Sequence, residues 1–484
     1  MSSPLSDLQP ASVWSYFDEI RQIPRPSRHE EKALAWVKSW AGDQGFEYSQ
    51  DEVGNIVVRV PATEGREDAE KLILQGHLDM VPEKNSDVDH DFMTDPIQME
   101  RDGDWIVAPD TTLGADNGVG VAMMMAAAAS DDVEHGPLEL LFTVDEETGL
   151  TGASGLDGSL LEGRRLINLD TEEDGAFYIG CAGGSDLHAT FDLEQIQTGR
   201  PEQVELAVKG LRGGHSGVDI HENRANAVKL LARVLKTAVE AGIEIDLVSV
   251  EGGSKHNAIP REAFAQVRLV TGATDKLRGV AAAQQEQFEE EFGRIDPDLE
   301  VVVEEAEVPD RVFTDDLTRR LVGALMAVPH GVLAMSRDVE GLVETSNNLA
   351  VIHTGEHSIE ITTSSRSSVM PALRGTVEQI RSAFELAGAE VESPEGYPGW
   401  TPDPDSHLLE VGREVFQDLF EEEPLVKAIH AGLECGIIGE KVPGLDMISM
   451  GPEIRSPHAP GEKVQISSVQ KTWDLLKAYL ARLA

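Results

Sequence analysis

Between residues 29 and 173, short apolar runs alternate with longer segments that have helical periodicity. The runs at 55–60, 71–80, 138–147 and 165–173 predict strands, and the segments 29–45 and 117–130 predict helices. Alternation of this kind predicts an α/β sheet layered by helices. Ligands of such sheets bind beyond the carboxyl ends of the strands, so polar residues at those ends are candidates for function.

The pattern changes near residue 186, where alternating strands and amphipathic helices replace the buried runs. A strand followed by the helix of 223–242 recurs as the strand, turn and helix of 357–388, which indicates a duplicated α+β unit. After a Gly- and Pro-rich segment, the α/β pattern returns. Since 484 residues exceed the size of one core, we predict a catalytic domain in two parts with a second domain inserted between them. The predicted ranges are 1–185 and 392–484 for the catalytic domain and 186–391 for the insertion.

The charge balance restricts the partners of the chain. It carries 40 Lys and Arg residues against 87 Asp and Glu residues, which gives a formal net charge of −47 at pH 7. A polyanion of this kind repels nucleic acid and anionic membranes, so we exclude both as partners. An excess this large must lie on the surface, and one hypothesis is adaptation to high salt, where self-repulsion is screened. An acidic enzyme from an ordinary environment is the alternative, and the composition leaves both open.

The cysteines and the N-terminus indicate the compartment. Cys181 and Cys435 are the only cysteines, too few for a disulfide framework in a chain of this length, and we predict that both are free thiols. No basic segment followed by an apolar stretch opens the chain, and no apolar run is long enough to span a membrane. We therefore expect a soluble, cytoplasmic protein.

Five short segments place histidines or carboxylates where a strand ends or a tight loop is expected. These residues are His77, Asp79, Asp116, Glu146, Glu147, Asp170 and His458. Two histidines with several carboxylates form a mixed nitrogen and oxygen ligand set, which suits zinc, manganese or cobalt better than calcium. Each residue alone also has a structural reading as a solvated side chain, a turn residue or a cap. Their combination predicts a metal site.

The adjacent glutamates Glu146 and Glu147 have a mechanistic use. Successive side chains diverge, so one glutamate can bind a metal while its neighbour faces a water on that metal. The structural alternative is a solvated charge run at the start of a loop. Such a division of roles between Glu146 and Glu147 would indicate a hydrolase.

Motifs along nearly the whole chain resemble those of one family, the di-metal peptidases that include carnosinase, aminoacylase and bacterial dipeptidases. In chain order these motifs are GHLDMVPEK, TTLGADNGVGVA, DEETGLTGA, INLDTEE, GLRGGHSGVDIH, NAIPREA, ETSNNLA, AIHAGLECG and ISMGPEIRSPHAPGEKV. They are most similar to the aminoacyl-histidine dipeptidase branch. The resemblance implies a three-layer, zinc-peptidase-like α/β catalytic domain with a mixed sheet, and an inserted α+β lid domain.

The resemblance also implies a ligand set for two divalent ions, with zinc favoured over manganese or cobalt. One ion would be held by His77 and Asp170, the other by Glu147 and His458, with Asp116 bridging them and followed by a cis peptide bond. Asp79 would orient His77. Glu146 would be the general base that takes a proton from water and passes it to the leaving amine.

Three residues of the inserted domain are similar to the family's lid residues. His215 would stabilise the tetrahedral oxyanion, often across a dimer, while Asn257 and Arg366 would clamp the terminal carboxylate of the substrate. The alternatives are a glycine-flanked loop histidine and a surface arginine. Glu222 and Asn223 depart from the family's pattern, as does the sequence close to His458. A lid of this size could mediate a homodimer, which we expect, or imitate a second lid within one chain. We expect Cys435 to be a small packed residue beside the site, because no metal-free hydrolytic set accompanies it.

The activity implied by the resemblance is hydrolysis of unblocked dipeptides, including Xaa-His dipeptides such as β-alanyl-histidine. An N-acyl amino-acid deacylase would share the metals and is the alternative enzyme. A binding protein that kept the fold and lost catalysis is a third reading. It would have lost Glu146 or a ligand, yet every such position is filled in this sequence.

Overall fold

The computed structural model describes residues 3–337 and 339–484. The chain forms two compact units. The first comprises the chain up to Cys181 together with Trp400–Ala428 and Leu433–Ala484, and the second comprises Ala182–Gly399 with Ile429–Gly432. The predicted domain boundaries at 185/186 and 391/392 stay a prediction, because compactness does not test whether 186–391 acts as a lid.

Helices occur in both units. In chain order they are α1 (Ala11–Ile20), α2 (Glu31–Gln44), α3 (Ala115–Ala129), α4 (Thr151–Gly155), α5 (Ala227–Glu240), α6 (Thr274–Phe292), α7 (Asp315–Ala327), α8 (Met370–Leu386), α9 (His407–Phe420), α10 (Glu434–Lys441) and α11 (Ile466–Leu483). Short 3₁₀ turns lie at Gly158–Leu160 and Ile220–Glu222.

The strands are numbered along the chain in the same way. The earlier ones are β1 (Glu47–Gln50), β2 (Ile56–Val60), β3 (Leu72–His77), β4 (Glu100–Asp102), β5 (Trp105–Val107), β6 (Leu138–Thr143), β7 (Arg165–Asn168), β8 (Ala176–Cys181), β9 (Gly183–Asp192), β10 (Gln195–Gln197), β11 (Glu202–Lys209) and β12 (Gly214–His215). The later ones are β13 (Ile245–Gly252), β14 (Ala258–Ile259), β15 (Ala263–Leu269), β16 (Glu300–Glu305), β17 (Arg311–Phe313), β18 (Gly331–Met335), β19 (Val343–Thr354), β20 (Ser358–Ser367), β21 (Glu390–Glu392), β22 (Leu425–Ile429), β23 (Asp446–Ser449), β24 (Ile454–Arg455) and β25 (Lys463–Gln465).

The first unit is built on an eight-stranded sheet with the order β1-β2-β6-β3-β7-β23-β8-β22. Its central strands β6, β3, β7 and β23 run parallel, whereas β1, β2 and β8 pair antiparallel with their neighbours. Every residue of β3, β6 and β7 is buried, because parallel strands are covered on both faces. The predicted mixed sheet is therefore confirmed.

Alternate residues of β3 show that helices cover both faces of this sheet. Gly76 faces α3, where a Cβ atom would collide with the Asn117 side chain and lie 3.3 Å from Met124 Sδ. The neighbouring Gln75 faces the opposite way, and its side-chain amide donates to Glu434, the first residue of α10, at 2.6 Å. Glycine at position 76 thus allows α3 to approach the sheet, and the predicted three-layer arrangement is confirmed.

The second unit contains an antiparallel sheet with the order β16-β11-β15-β13-β19-β20-β9-β21, and β18 pairs with β19. Its two halves have the same topology, since β11-α5-β13-β15-α6-β16 and β9-α7-β19-β20-α8-β21 are both β-α-β-β-α-β units. The halves meet where β13 pairs with β19. Helices α5 to α8 pack on the sheet around one hydrophobic core. The topology contains a duplication, but the predicted correspondence is wrong: α5 of 223–242 corresponds to α7, and α8 of 357–388 corresponds to α6.

The predicted elements are found, but the central strands end earlier than predicted. β3 ends at His77, β6 at Thr143 and β7 at Asn168. The residues that follow form loops, and Asp145, for example, has a φ of 48°, which a strand does not accept. The residues predicted to carry chemistry therefore lie in short loops directly beyond the sheet.

Candidate metal centre

The predicted ligands of the first unit collect at one edge of its sheet. β6, β3 and β7 are parallel neighbours, so their carboxyl ends meet at this edge. His77 is the last residue of β3, Glu147 follows β6 and Asp170 follows β7. Asp116 lies at the start of α3, and the peptide bond that follows it is cis, as predicted.

A first set of donor atoms surrounds the imidazole of His77. Its Nε2 lies 3.0 Å from Asp116 Oδ1 and 3.3 Å from Asp170 Oδ1. The donor atoms of these three residues all lie within 4.8 Å of one another. Ligands about 2.0–2.2 Å from a common zinc ion are spaced in this way.

A second set surrounds the imidazole of His458, in the loop between β24 and β25. Its Nε2 lies 3.2 Å from Asp116 Oδ2 and 3.0 Å from Glu147 Oε2. Asp116 therefore presents one carboxylate oxygen to each histidine. This is the arrangement of a carboxylate that bridges two metal ions.

Unpaired oxygen atoms support the same interpretation. Among the described residues, Glu147 Oε1 and Asp170 Oδ1 are buried and accept no well-aligned hydrogen bond, although Asp170 Oδ1 lies 3.3 Å from His77 Nε2. Leaving buried carboxylate oxygens unpaired is costly unless a cation is bound. The residues present therefore fit two divalent cations, and the imidazole and carboxylate donors suit zinc, manganese or cobalt.

The pKa shifts of the two histidines show that the surrounding carboxylates stabilise positive charge. Hydrogen bonds to Asp116 and Glu147 raise the pKa of His458 to about 11. Burial opposes protonation of His77, yet Asp170, Asp116 and Asp79 raise the pKa of His77 well above its ordinary value. Both imidazoles hold protons because carboxylates face them. Binding of a divalent cation would release those protons.

Asp79 connects His77 with the turn that carries the two glutamates. Asp79 Oδ1 lies 3.2 Å from His77 Nδ1. The backbone N–H groups of Glu146 and Glu147 donate to Asp79 at 3.0 and 3.2 Å, and the Ser27 hydroxyl donates at 2.8 Å. Burial opposes ionisation, but these contacts lower the pKa of Asp79 to about 2. Asp79 is thus placed to fix the turn as well as the imidazole.

Glu146 lies beside this cluster, with a carboxylate oxygen within 4.8 Å of donor atoms of His77 and Glu147. Burial raises the pKa of Glu146 well above its ordinary value, and His77 only partly opposes this effect. A glutamate with a raised pKa is a stronger base than an ordinary one and can both accept and release a proton during turnover.

Two buried residues of the first unit were missed by the sequence analysis. Arg25 donates to backbone carbonyls close to His77 and Asp116, and Glu462 accepts from backbone N–H groups next to Asp116. The sequence signal for Glu462 is its place in the quoted motif around His458. The thiols of Cys181 and Cys435 are free and buried, as predicted, and burial raises their pKa values.

In the second unit, the structure fixes the tautomer of His215. Its Nδ1 accepts the backbone N–H groups of Gly217 and Val218 at 3.2 and 3.0 Å. Burial and the charge of Arg366 lower its pKa, although Asp219 opposes them. A neutral imidazole whose Nδ1 accepts hydrogen bonds carries its proton on Nε2. His215 therefore presents an N–H donor at Nε2.

Arg366 lies on β20 and is buried, with Nη1 donating to the Tyr397 hydroxyl at 2.9 Å. Its Nε has no hydrogen-bond partner within the described part of the chain. The Asn257 side chain is half-buried, and its backbone carbonyl accepts the N–H of Ser216 at 2.8 Å. Arg366 thus keeps donor capacity for an anion.

His430 also belongs to the second unit and was not singled out from the sequence, although its motif AIHAGLECG was. Its Nε2 lies 2.7 Å from Ser346 Oγ. Burial, followed by the charge of Arg366, lowers the pKa of His430 to about 3. This histidine is neutral, in contrast to the protonated histidines of the metal centre.

Residues 73–482 match the model of peptidase family M20/M25/M40. The chain belongs to this family. It is 41% identical over 483 residues to the cytosol non-specific dipeptidase of Escherichia coli K12, covering 99% of both chains. The resemblance predicted from the motifs is confirmed.

Solved structures show the same relationship. The aminoacylhistidine dipeptidase from Vibrio alginolyticus is 44% identical, with a TM-score of 0.93 over 99% of this chain and 98% of that one. The aminopeptidase PepT from Bacillus cereus shares the fold with a TM-score of 0.58 at 16% identity, over 98% of this chain and 99% of that one. Among the described residues, no helix has both the length and the apolar content needed to cross a membrane.

Proposed function

We propose that this protein is a metal-dependent dipeptidase that hydrolyses unblocked dipeptides, including Xaa-His dipeptides such as β-alanyl-histidine. The observation that carries the proposal is the Asp116 carboxylate, with one oxygen 3.0 Å from His77 Nε2 and the other 3.2 Å from His458 Nε2. Two relatives that are alike over nearly the whole chain are named as dipeptidases. Their names favour this activity over N-acyl amino-acid deacylation.

Two divalent ions form the proposed cofactor, with zinc favoured over manganese or cobalt. His77 and Asp170 would hold one ion, Glu147 and His458 would hold the other, and Asp116 would serve both. When bound, these ions polarise the scissile carbonyl and lower the pKa of the attacking water. Asp79 keeps His77 and the turn of Glu146 in place.

Glu146 is the proposed general base. Its raised pKa allows the carboxylate to take a proton from the attacking water and to hold it until the peptide nitrogen leaves. The same proton is then donated to the leaving amine. No other side chain is required for this transfer.

The proposed roles of the second unit concern the substrate. His215 donates its Nε2 proton to the oxygen on which negative charge develops. Arg366 binds the terminal carboxylate through its free donors, and Asn257 assists by its amide. A cytoplasmic location and a homodimer through the 186–391 domain complete the proposal. Dipeptides are its partners, and the charge of −47 opposes nucleic acid or anionic membranes.

The test is hydrolysis of β-alanyl-histidine and Gly-His by the purified protein at low and high salt. EDTA should abolish turnover, and zinc, manganese or cobalt added back should restore it. N-acetyl amino acids serve as the comparison substrates. Hydrolysis of N-acetyl amino acids without hydrolysis of either dipeptide would replace the proposal by the deacylase alternative.

A further inference from the structure

One guanidinium group joins two segments that carry predicted metal ligands. Arg25 follows α1 and has only 1% of its surface exposed. Its Nη1 donates to the backbone carbonyls of Leu78 at 2.9 Å and Asp79 at 2.6 Å, and its Nη2 donates to the carbonyl of Gly114 at 2.6 Å. Leu78 directly follows His77, and Gly114 precedes Asp116 by two residues. Arg25 therefore sets the distance between the backbones that carry these two ligands.

One carboxylate joins the segment of Asp116 to that of His458. Glu462 lies four residues after His458 and is 2% exposed. Its Oε2 accepts the N–H groups of Leu113 and Gly114 at 2.7 and 3.0 Å. Its Oε1 accepts those of Ala115 and Asp116 at 2.8 and 3.3 Å. Four consecutive backbone N–H groups thus converge on a single side chain.

Glycine at position 114 makes this convergence possible. Gly114 has a φ of 68°, a conformation that favours glycine. A Cβ atom there would lie 2.6 Å from Arg25 Nη2 and 2.9 Å from Met80 Sδ. The backbone of Gly114 can therefore offer its carbonyl to Arg25 while its N–H points to Glu462.

We propose that Arg25 and Glu462 are positioning residues that hold the Asp116 carboxylate between His77 and His458 before any metal binds. The three ligand segments are far apart in sequence. The fold brings them to one edge of the sheet, and the contacts of Arg25 and Glu462 fix the spacing between their backbones. Within the described residues, every side-chain hydrogen bond of Arg25 and Glu462 goes to the segments 78–79 or 113–116. The inference rests on the proposed metal centre.

A purely structural role is the alternative, and the chain offers matched controls for it. Glu139 is also buried and accepts the backbone N–H groups of Glu162 and Gly163, but it lies near the amino end of β6, away from the ligands. Arg165, at the amino end of β7, is buried as well and donates to the Glu70 carbonyl at 2.7 Å. Substitutions there disturb similar contacts without touching a ligand segment.

The test compares Glu462→Gln with Glu139→Gln, and Arg25→Lys with Arg165→Lys. Glutamine keeps the shape of glutamate but turns one acceptor oxygen into a donor, so two of the four N–H groups lose their partner. Zinc binding is measured by competition with a chromophoric chelator, and unfolding of the metal-free proteins is measured in urea. We expect Glu462→Gln and Arg25→Lys to weaken zinc binding at both sites by about 10- to 100-fold. The two controls should lose stability without a comparable loss of zinc affinity.

Two results would overturn the inference. One is wild-type zinc affinity in both Glu462→Gln and Arg25→Lys, and the other is an equal loss of affinity in the control variants. Because zinc binding is read without a substrate, the outcome is separate from the dipeptidase proposal. A wild-type protein that binds two zinc ions but hydrolyses no dipeptide would refute the proposed activity and leave the positioning roles standing.

Discussion

The predicted metal ligands of the first unit and the predicted substrate-binding arginine of the second unit both have buried polar atoms without a hydrogen-bond partner, but these atoms differ in kind. In the first unit they include the acceptor oxygens Glu147 Oε1 and Asp170 Oδ1, and in the second they include the donor Arg366 Nε. A bound cation would stabilise a cluster of unpaired acceptors, whereas an acceptor or an anion would stabilise an unpaired donor. This difference agrees with the proposed roles, a metal site in the first unit and binding of an anion by Arg366 in the second.

The pKa values of two histidines also differ between the units. Carboxylates raise the pKa of His458 to about 11 in the first unit, whereas burial and Arg366 lower that of His430 to about 3 in the second. The same side chain is thus a cation in one unit and a neutral hydrogen-bonding group in the other. Neighbouring charge and burial decide which state is stable.

The largest effect is expected from removing the shared carboxylate. Asp116→Ala deprives both donor sets of an oxygen, so the protein should lose both metal equivalents and turnover should fall to background. Asp170→Ala should retain the equivalent bound by Glu147 and His458. Metal content after gel filtration measures the difference. Equal metal loss in the two variants would contradict a shared ligand.

Glu146→Gln should lower kcat by about 10²- to 10⁴-fold, because glutamine cannot accept the proton of the attacking water. Metal content should remain at the wild-type level, which separates this variant from the ligand substitutions. Steady-state kinetics with Gly-His and metal analysis measure both quantities. Turnover near the wild-type rate would remove Glu146 as the base.

For the second unit, Arg366→Ala should lower kcat/KM for Gly-His by roughly 10- to 100-fold, the value of a hydrogen bond to a charged group. The C-terminal amide of Gly-His provides the matched control, because it lacks the anion. The wild-type protein should lose a similar factor on this amide, and Arg366→Ala should lose little more. If Arg366→Ala lowered kcat/KM by the same factor for Gly-His and for its amide, Arg366 would not bind the carboxylate.

The smallest effect concerns protonation in the metal-free protein. NMR of labelled histidines should show His458 still protonated at pH 8 and His430 still neutral at pH 5, with His458→Asn and His430→Asn assigning the signals. The stabilisation from His458 is complete below pH 6.5 and is lost as the pH rises through about 11. The stabilisation from neutral His430 is present above pH 6.5 and is lost as the pH falls through about 3. If both histidines titrated near pH 6.5, the predicted difference between their pKa values would be wrong.

His77 and Asp170 could be predicted to lie close together because each follows an apolar run, and the two runs form adjacent parallel strands. His77 and Asp170 are recognisable in this way, and topology then brings them together. Arg25 and Glu462 were missed because their side chains bond to backbone groups of distant segments. Arg25 and Gly114 are 89 residues apart, and Glu462 and Leu113 are 349 apart. No local pattern of residue types predicts contacts between segments that are so far apart in sequence.

Strand ends were also harder to predict than strands. The apolar run of β6 continues as Val144 before the chain turns at Asp145, so composition alone did not mark the end at Thr143. The turn depends on contacts that arise only in the folded unit, such as the Asp145 N–H that donates to Glu30 at 3.0 Å. Local sequence therefore predicted the existence of the elements, and tertiary contacts determined their limits.

The proposed metal centre depends on one carboxylate, Asp116, serving two metal ions. The most direct measurement is anomalous diffraction from crystals grown with manganese or zinc. We expect two anomalous peaks, one near Asp116 Oδ1, His77 and Asp170, and one near Asp116 Oδ2, Glu147 and His458. A single peak, or two peaks of which only one touches Asp116, would contradict the proposed metal centre.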